Sequence, residues 1–539
     1  MSLFHPMLAA LARPVKLREN AQQSLQGKRM HTFASRLWNV LKKTRIRNLI
    51  FFFILLLAIF FYLTNPFVRF SAIADPYTVV TLEDGLFMIE PSEGLLLRDN
   101  RYARTFALMK SGWHIVTGKI SGGPKGPKSN EDDIINAIHQ LRFSPDWPYL
   151  ISGDHFSAFY PRSLGLFYHS LLDPRTARSE TDWHNRQLIY LKSTAYALDV
   201  FSKSDRLATT IVPVGVRSVA LINVFAPPSD TLFSLLYALT VLQDPATFTV
   251  RYPYDPPPDS YGAHAQLKTP RAAKILLDAN RDALRQHWIQ YRELVYDETS
   301  GLIRTNVRLS GVKDMAKRES SFYDNVIFWK TAQLAKELTI APEITDGFLD
   351  DLKNRIIEAF WDGESGIFLE DLSTRSRDGS LYSSDWIIAY QTGFLSPTDS
   401  AERQYLMKSV AYIQHHGIDE PFGLKYHTDP RPWQLHLIVR WTTPSYGSTA
   451  IWSNWGMEYI KLLTHLARET GDLRYLQHAG TQLEKYTYNI TRYRGYPEVY
   501  NQHGDFFRQG LYKSVRQTGW VVSYEQAKAM YEDSLQQKY

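Results

Sequence analysis

Tyr296-Asp297-Glu298-Thr299-Ser300-Gly301-Leu302-Ile303 returns 65 residues later as Trp361-Asp362-Gly363-Glu364-Ser365-Gly366-Ile367-Phe368. Each copy closes a stretch whose apolar residues recur at helical spacing. The aspartate can accept hydrogen bonds from its own turn, and the glycine takes a left-handed position that a side chain disfavours. The apolar residues after it return to the core. A looser third copy, Tyr500-Asn501-Gln502-His503-Gly504-Asp505-Phe506, lies near the C-terminal end. Common turn chemistry alone could give such likeness. A repeated helix–turn–strand–helix unit would give it too, and that unit is what a toroid of helical hairpins displays.

Outward from these turns, the period of the apolar residues predicts helices over 131–141, 182–201, 231–242, 271–295, 321–338 and 344–360. It predicts others over 385–394, 401–415, 450–470, 473–493 and 520–531. Eleven segments fall one short of six hairpins, and the missing one belongs on the N-terminal side. The fold class expected is mainly α, an (α/α)6 toroid of helical hairpins over residues 130–539. Before it, Tyr77–Leu82 and Gly112–Ile120 are β-branched and alternating, and Ser121-Gly122-Gly123-Pro124-Lys125-Gly126-Pro127-Lys128 has the composition of a linker. Residues 69–129 are therefore expected to form a small β-rich stalk and linker.

Residues 1–47 hold ten Lys/Arg against Glu19, a charge of +9, although the whole chain carries only +6. The remainder is thus at −3, so the basic balance belongs to a tail, and no nucleic-acid-binding face is expected. Leu49 to Leu63, LIFFFILLLAIFFYL, is uncharged and apolar. With its flanks, residues 48–68 reach the roughly 20 residues that cross a bilayer. Lys42, Lys43, Arg45 and Arg47 stand before this run and Arg69 alone stands close after it. By the positive-inside rule the tail is cytoplasmic and the rest extracytoplasmic, a single-pass signal anchor. The chain has no cysteine, which excludes disulfides, thiol nucleophiles and thiolate metal sites. His427, Asp429 and His436 lack ligand spacing, so no metal is expected, and no phosphate loop or dinucleotide fingerprint implies a cofactor. Asn489-Ile490-Thr491 fits the glycosylation pattern.

Aromatic residues are 14% of the chain, enough to fill a large core or to line a cleft with rings. Three segments place chemistry among them. Trp452-Ser453-Asn454-Trp455 opens a long predicted helix. Tyr496-Pro497-Glu498-Val499-Tyr500, followed by Gly519-Trp520, sets one carboxylate on a ring-rich loop. Val312-Lys313-Asp314 leads through Glu319-Ser320-Ser321-Phe322-Tyr323 into another helix. On these segments, residues 131–535 resemble the (α/α)6-barrel glycoside hydrolases, the six-hairpin glycosidase superfamily. The nearest look is to glucoamylases, trehalases and the processing α-glucosidase and mannosylglycerate-hydrolase group.

The resemblance implies a general acid after the fifth helix and a general base after the eleventh, which are Asp314 and Glu498 here. An inverting pair stands about 6.5–9.5 Å apart so that water fits between. Lys313, Lys317 and Arg318 crowd Asp314, and nearby cations oppose an acid's role, so Glu319 and Asp324 stand as alternate acids. Arg162 sits where the family has Arg-Asp for the terminal sugar. Here Ser163 follows it, and Asp154 is the candidate replacement; a structural ion pair is the other reading of Arg162. Asp385 could accept from sugar hydroxyls or cap the helix after it. Trp386, Trp441, Trp452 and Tyr496 are candidate sugar contacts or core.

The expectation is a membrane-anchored glycoside hydrolase acting on an extracytoplasmic oligo- or polysaccharide. The alternatives are a glycan-binding scaffold that has lost its acid and a polysaccharide lyase on the same toroid.

Overall fold

The computed structural model describes Asn48, Leu49, Phe52, Phe53 and Leu56, the strands between 71 and 97, and residues 122–537 apart from 145–147, 154–157, 214–217, 224, 244–267, 380, 429–433 and 511. Residues 1–65 and 66–539 are two separate compact units. In the first, the five described residues are helical, and Leu49 and Phe53 are exposed. Most of the expected span 48–68 lies outside the described residues, and among those described no helix is long and apolar enough to cross a membrane.

The second unit is mainly helical. Its long helices and the short ones that complete their pairs are α1 Glu131–Arg142, α2 Arg162–Leu166, α3 Glu180–Ser202, α4 Thr231–Gln243, α5 Lys268–Val295 and α6 Phe322–Glu337. They continue with α7 Asp346–Phe360, α8 Ile388–Gln391, α9 Ser400–His415, α10 Ser453–Thr470, α11 Leu473–Tyr493 and α12 Val521–Gln536. Two further short helices, Thr374–Gly379 and Leu437–Thr442, lie in loops. The even-numbered helices pack one against the next: α2 on α4, α4 on α6, α6 on α8, α8 on α10 and α10 on α12. The last, α12, returns to Tyr168–Leu172, a 3-10 segment continuing α2, so the inner ring closes.

Burial separates the two layers. The inner helix α4 is apolar nearly all round and buried from Thr231 to Leu239, and α6 and α10 are likewise buried on most sides. Outer helices bury one stripe: Leu349, Leu352, Ile356 and Phe360 on α7, and Leu476, Ala479, Leu483, Tyr486 and Ile490 on α11. This is the distinction between a helix surrounded by protein and one that faces water.

The repeated turns fold as their chemistry predicts. β7 Tyr296–Asp297 pairs with β8 Leu302–Ile303, and β9 Trp361–Asp362 pairs with β10 Ile367–Phe368, in the same register. Asp297 Oδ1 accepts from the Thr299 amide at 3.1 Å, and Asp362 Oδ1 from that of Glu364 at 3.0 Å. Gly301 and Gly366 have φ of 68° and 74°. In the third copy Asn501 Oδ1 accepts from the amides of His503 and Asp505, both at 2.9 Å, and Gly504 has φ of 80°.

Several expectations need correction. The helix missing from the sequence count is α2 with its 3-10 continuation. It is five residues long and carries Gly165, where a Cβ would come within 2.7 Å of the Ser234 backbone on α4. The helix expected over 385–394 is a 3-10 turn, Ser384–Ile387, and one α-turn, α8. β1 Ser71–Ala74 lies between β4 Leu95–Leu97 and β6 Ser218–Ile222, and β6 also pairs with β5 Thr210–Pro213, so the N-terminal strands share a sheet with residues of the toroid. A hairpin of β2 Val79–Glu83 and β3 Leu86–Glu90 packs on α3 and α5. The strand expected over Gly112–Ile120 lies outside the described residues. Asn489 is buried on α11, so its side chain is not presented for glycosylation.

Candidate active site

Glu498 stands on the segment between α11 and α12. Arg494 ends α11 in the left-handed region, φ 55°, and the chain then turns through Gly495, where a Cβ would lie 2.4 Å from the Arg516 carbonyl. β12 Val499–Tyr500 pairs with β11 Ile451–Trp452 at the head of α10. The amide and hydroxyl of Ser453 both donate to the Glu498 carbonyl, at 3.0 and 2.8 Å, and the Glu498 amide donates to Val515 at 3.0 Å. With its backbone held on both sides, the carboxylate meets two phenols. Tyr512 donates to Oε2 at 2.5 Å and Tyr446 to Oε1 at 3.2 Å. A phenolic O–H is a donor here, so both carboxylate oxygens are held as acceptors. Glu498 is buried, 6% exposed.

Asp314 stands on the loop between α5 and α6. Its side chain is about one-fifth exposed, whereas its neighbour Lys313 turns into the protein. Lys313 Nζ pairs with Glu370 and donates to Ser383 Oγ at 3.2 Å, and it lies 4.7 Å from the centre of the Tyr426 ring. His427 stands 3.3 Å from the other Glu370 oxygen. Burial would raise the Glu370 pKa, but Lys313, His427 and Arg318 hold it well below the usual carboxylate range. The loop is thus clamped through Lys313, while the Asp314 side chain keeps its partial exposure. Arg162 holds it from the side: its guanidinium donates to the Gly311 carbonyl, lies 3.4 Å from Asp230 and is 3.7 Å from Asp314. Tyr323 completes that cluster by donating to Asp230 at 3.0 Å.

The two carboxylates share neighbours. The phenol of Tyr160 is pushed up first by burial and then by Asp314 and Glu498, with Arg162 opposing. Burial, Glu498 and Asp314 likewise all raise Tyr446. Two partly buried tyrosines therefore feel both acids, although the acids are 184 positions apart in the chain.

The remaining candidates divide. Glu319 is exposed, and its amide donates to Asp371 at 3.1 Å, so it belongs to a loop tie. Asp324 is buried in the first turn of α6, accepting from the Ser321 hydroxyl at 2.6 Å while the Asp324 amide donates to that hydroxyl at 3.1 Å; it serves the helix cap. Asp385 is buried, and its Oδ2 is bound to Arg318. Arg162 is the structural ion-pair partner of Asp230 and also touches Asp314. Trp386 and Trp452 are 2% and 3% exposed. Trp452 packs against Tyr446, Tyr426 and Trp520, and its Nε1 donates to the Tyr446 carbonyl at 2.9 Å, so it supports Tyr446 from behind. Tyr496 is fully buried between Tyr486 and Tyr524, a core residue. Trp441 is the opposite, 75% exposed on a loop helix. Asp154 lies outside the described residues. Tyr160, Tyr446, Tyr512, Asp230 and Glu370 escaped the sequence reading as site residues. Tyr446 lies within the ring-rich loop 440–447 and Tyr160 within the ring-rich run 159–163 that carries Arg162, and the other three follow no motif.

Among the described residues no group of His, Asp and Glu is arranged to hold a metal. The site therefore offers two carboxylates, phenolic donors and an arginine, a set suited to proton transfer around water and hydroxyl groups.

No family model and no curated protein sequence matches the chain. Solved structures similar to it include a rhamnosidase from Klebsiella oxytoca with rhamnose bound, 11% identical over 87% of this chain and 82% of that one, TM-score 0.45. The GH63 mannosylglycerate hydrolase from Thermus thermophilus in complex with glucose is 10% identical over 75% of this chain and 100% of that one, TM-score 0.42. Cellobiose 2-epimerase from Bacillus thermoamylovorans is 10% identical over 74% and 98%, TM-score 0.45. They include the mannosylglycerate-hydrolase group named from sequence. Hydrolases and an epimerase stand side by side among them.

Proposed function

We propose that the toroid is a glycoside hydrolase of inverting type. Glu498, held as an acceptor by Tyr446 and Tyr512, takes a proton from water as that water attacks the anomeric carbon. Asp314 gives its proton to the departing glycosidic oxygen. The observation that supports this reading is the Glu498 carboxylate, held on both oxygens by the phenols of Tyr446 and Tyr512. Residues 48–68 anchor the enzyme in a bilayer with residues 1–47 in the cytoplasm, and the substrate is an extracytoplasmic oligo- or polysaccharide. The apolar run and its one-sided flanking charge support that placement.

The test is hydrolysis of a panel of aryl glycosides and reducing-end-labelled oligosaccharides. A substrate cleaved by wild type should release product of inverted anomeric configuration in NMR spectra taken within the first turnovers. E498Q and D314N should each lose at least a thousandfold in rate with unchanged circular dichroism. Undiminished turnover by E498Q would refute the assignment.

One observation favours a second reading. Arg162 lies 3.7 Å from Asp314, and a neighbouring cation favours the ionised over the protonated acid. A protein whose acid stays ionised binds glycan without cleaving it. Wild type that binds members of the panel and cleaves none selects this reading.

A further inference from the structure

The hairpin that carries Tyr512 has a second face. β13 Arg508–Gln509 pairs with β14 Tyr512–Lys513, with Arg508 opposite Lys513 and Gln509 opposite Tyr512. Side chains alternate along a strand and opposite residues share a face. Tyr512 therefore faces Glu498 from one side, and Arg508 and Lys513 stand together on the other. Arg508 and Arg516 both approach the ring of Phe506, with guanidinium carbons 5.5 and 4.8 Å from its centre. Arg508 and Arg494 are the charges that press on Arg516, after burial, in lowering its pKa.

Arg494, Arg508, Lys513 and Arg516 thus gather at one place, and among the described residues none has a carboxylate partner. Of the two acids between Arg494 and Arg516, Glu498 is bound by Tyr446 and Tyr512, and Asp505 pairs with Arg492 at 3.1 Å. Arg494 and Arg516 reach carbonyls of the glycine-rich linker instead, those of Gly126 and Gly123. Arg516 is only 7% exposed, and its Nε has no hydrogen-bond partner. Four cations held together without an anion are costly, and a buried unsatisfied guanidinium N–H calls for an acceptor.

We propose that this outer face of the hairpin is a binding site for a discrete anionic group, the carboxylate or phosphate of an acidic glycan. A guanidinium sunk in the protein fits a single group better than it fits a plane of lipid headgroups. That the anion belongs to a glycan rests on the hydrolase reading above. Tyr512 of this same hairpin holds Glu498, so an acidic chain drawn to the cations is held on the element that also supports the proposed base.

The experiment is affinity electrophoresis of the full chain in nonionic detergent, through gels containing polygalacturonate, phosphomannan or neutral dextran. Flotation with phosphatidylglycerol vesicles runs alongside. Wild type should be retarded by one or both acidic polymers, less so as salt rises, and not by dextran. R508E/K513E should bind at least tenfold more weakly, and K513Q severalfold more weakly should the double variant fail to fold. Retardation by polygalacturonate alone identifies a carboxylate, and by phosphomannan alone a phosphate. Equal retardation of wild type and variants, or none, overturns the site. Capture by the vesicles that R508E/K513E loses, with no retardation, overturns it in favour of lipid. E498Q separates the two proposals: inactive and still retarded, it supports both. A cleaving wild type that is not retarded leaves the hydrolase standing without the anion site.

Discussion

At the scale of single residues, the site depends on contacts between side chains far apart in sequence. Tyr512 donates to Glu498 at 2.5 Å and Tyr446 at 3.2 Å. A hydrogen bond to a charged group contributes about 1.5–3 kcal/mol. Y512F should therefore slow turnover by roughly 10- to 100-fold, with substrate affinity nearly unchanged, and Y446F should slow it less. Equal kcat values for Y512F and wild type would remove Tyr512 from the mechanism. Lys313 tests the loop beneath Asp314. K313M leaves Glu370 charged and buried, with His427 and Arg318 as its remaining cations, and should destabilise the protein by about 3–5 kcal/mol in urea denaturation. K313M/E370M should recover much of that loss; a double variant less stable than K313M would contradict the pairing. As a candidate, Glu498 was legible in the sequence because it is a lone carboxylate on a ring-rich loop between two predicted helices. Asp314 was legible only through its place before Ser320-Ser321-Phe322. Tyr512, Asp230 and Glu370 were not, because their roles come from tertiary neighbours. The cations that crowd Asp314 in sequence prove to be divided in space. Lys313 and Arg318 serve Glu370 and Asp385, and the cation that does lie near Asp314 is Arg162, 152 positions away.

At the scale of elements, close approach between layers relies on glycines that the period of apolar residues does not reveal. Tyr486 on α11 sends its hydroxyl between Gly423 and Gly456, the latter on α10. A Cβ on Gly456 would stand 2.0 Å from that oxygen, and one on Gly423 2.4 Å. G456A should force Tyr486 or a helix to shift, at about 1–3 kcal/mol, and lower the melting temperature. G456A/Y486F removes the clashing oxygen and should recover part of the loss. A melting temperature for G456A equal to that of wild type would mean that α10 and α11 are less closely packed. The outer helices and the three Asp/Asn–Gly turns were readable from sequence, since an amphipathic stripe and a left-handed glycine leave periodic marks. α2 left none, and around α8 the period predicted a longer helix than the one that forms. Both are inner elements of four or five residues, largely buried, where a short apolar run cannot distinguish helix from strand.

At the scale of the whole molecule, the ring holds only where its ends meet, and that seam is polar. Ser170 donates to Gln526 at 2.8 Å, Gln526 donates to Asp173 at 3.1 Å, and Arg175 joins Asp173 to Asp533 on α12. Glu525, also on α12, meets His139 of α1 at 2.6 Å and Arg178 at 2.9 Å. Burial would raise its pKa, but His139 and the two arginines 178 and 186 bring it down to about 2. An unfolded glutamate titrates near 4.3. Because the folded value is the lower, the unfolded chain binds the extra proton first. This group's stabilisation is therefore complete above the unfolded pKa and is lost as pH falls through about 2. A tenfold difference in proton affinity is worth about 1.4 kcal/mol, so the seam forfeits on the order of 3 kcal/mol across that window. E525Q has no proton to gain there. Between pH 7 and pH 3, urea midpoints should thus fall more for wild type than for E525Q, while E525Q is the less stable of the two at pH 7. Parallel losses in the two proteins would show that closure of the toroid does not rest on this carboxylate, and the apolar inner layer of α4, α6 and α10 would then have to hold α12 against the start of the ring unaided.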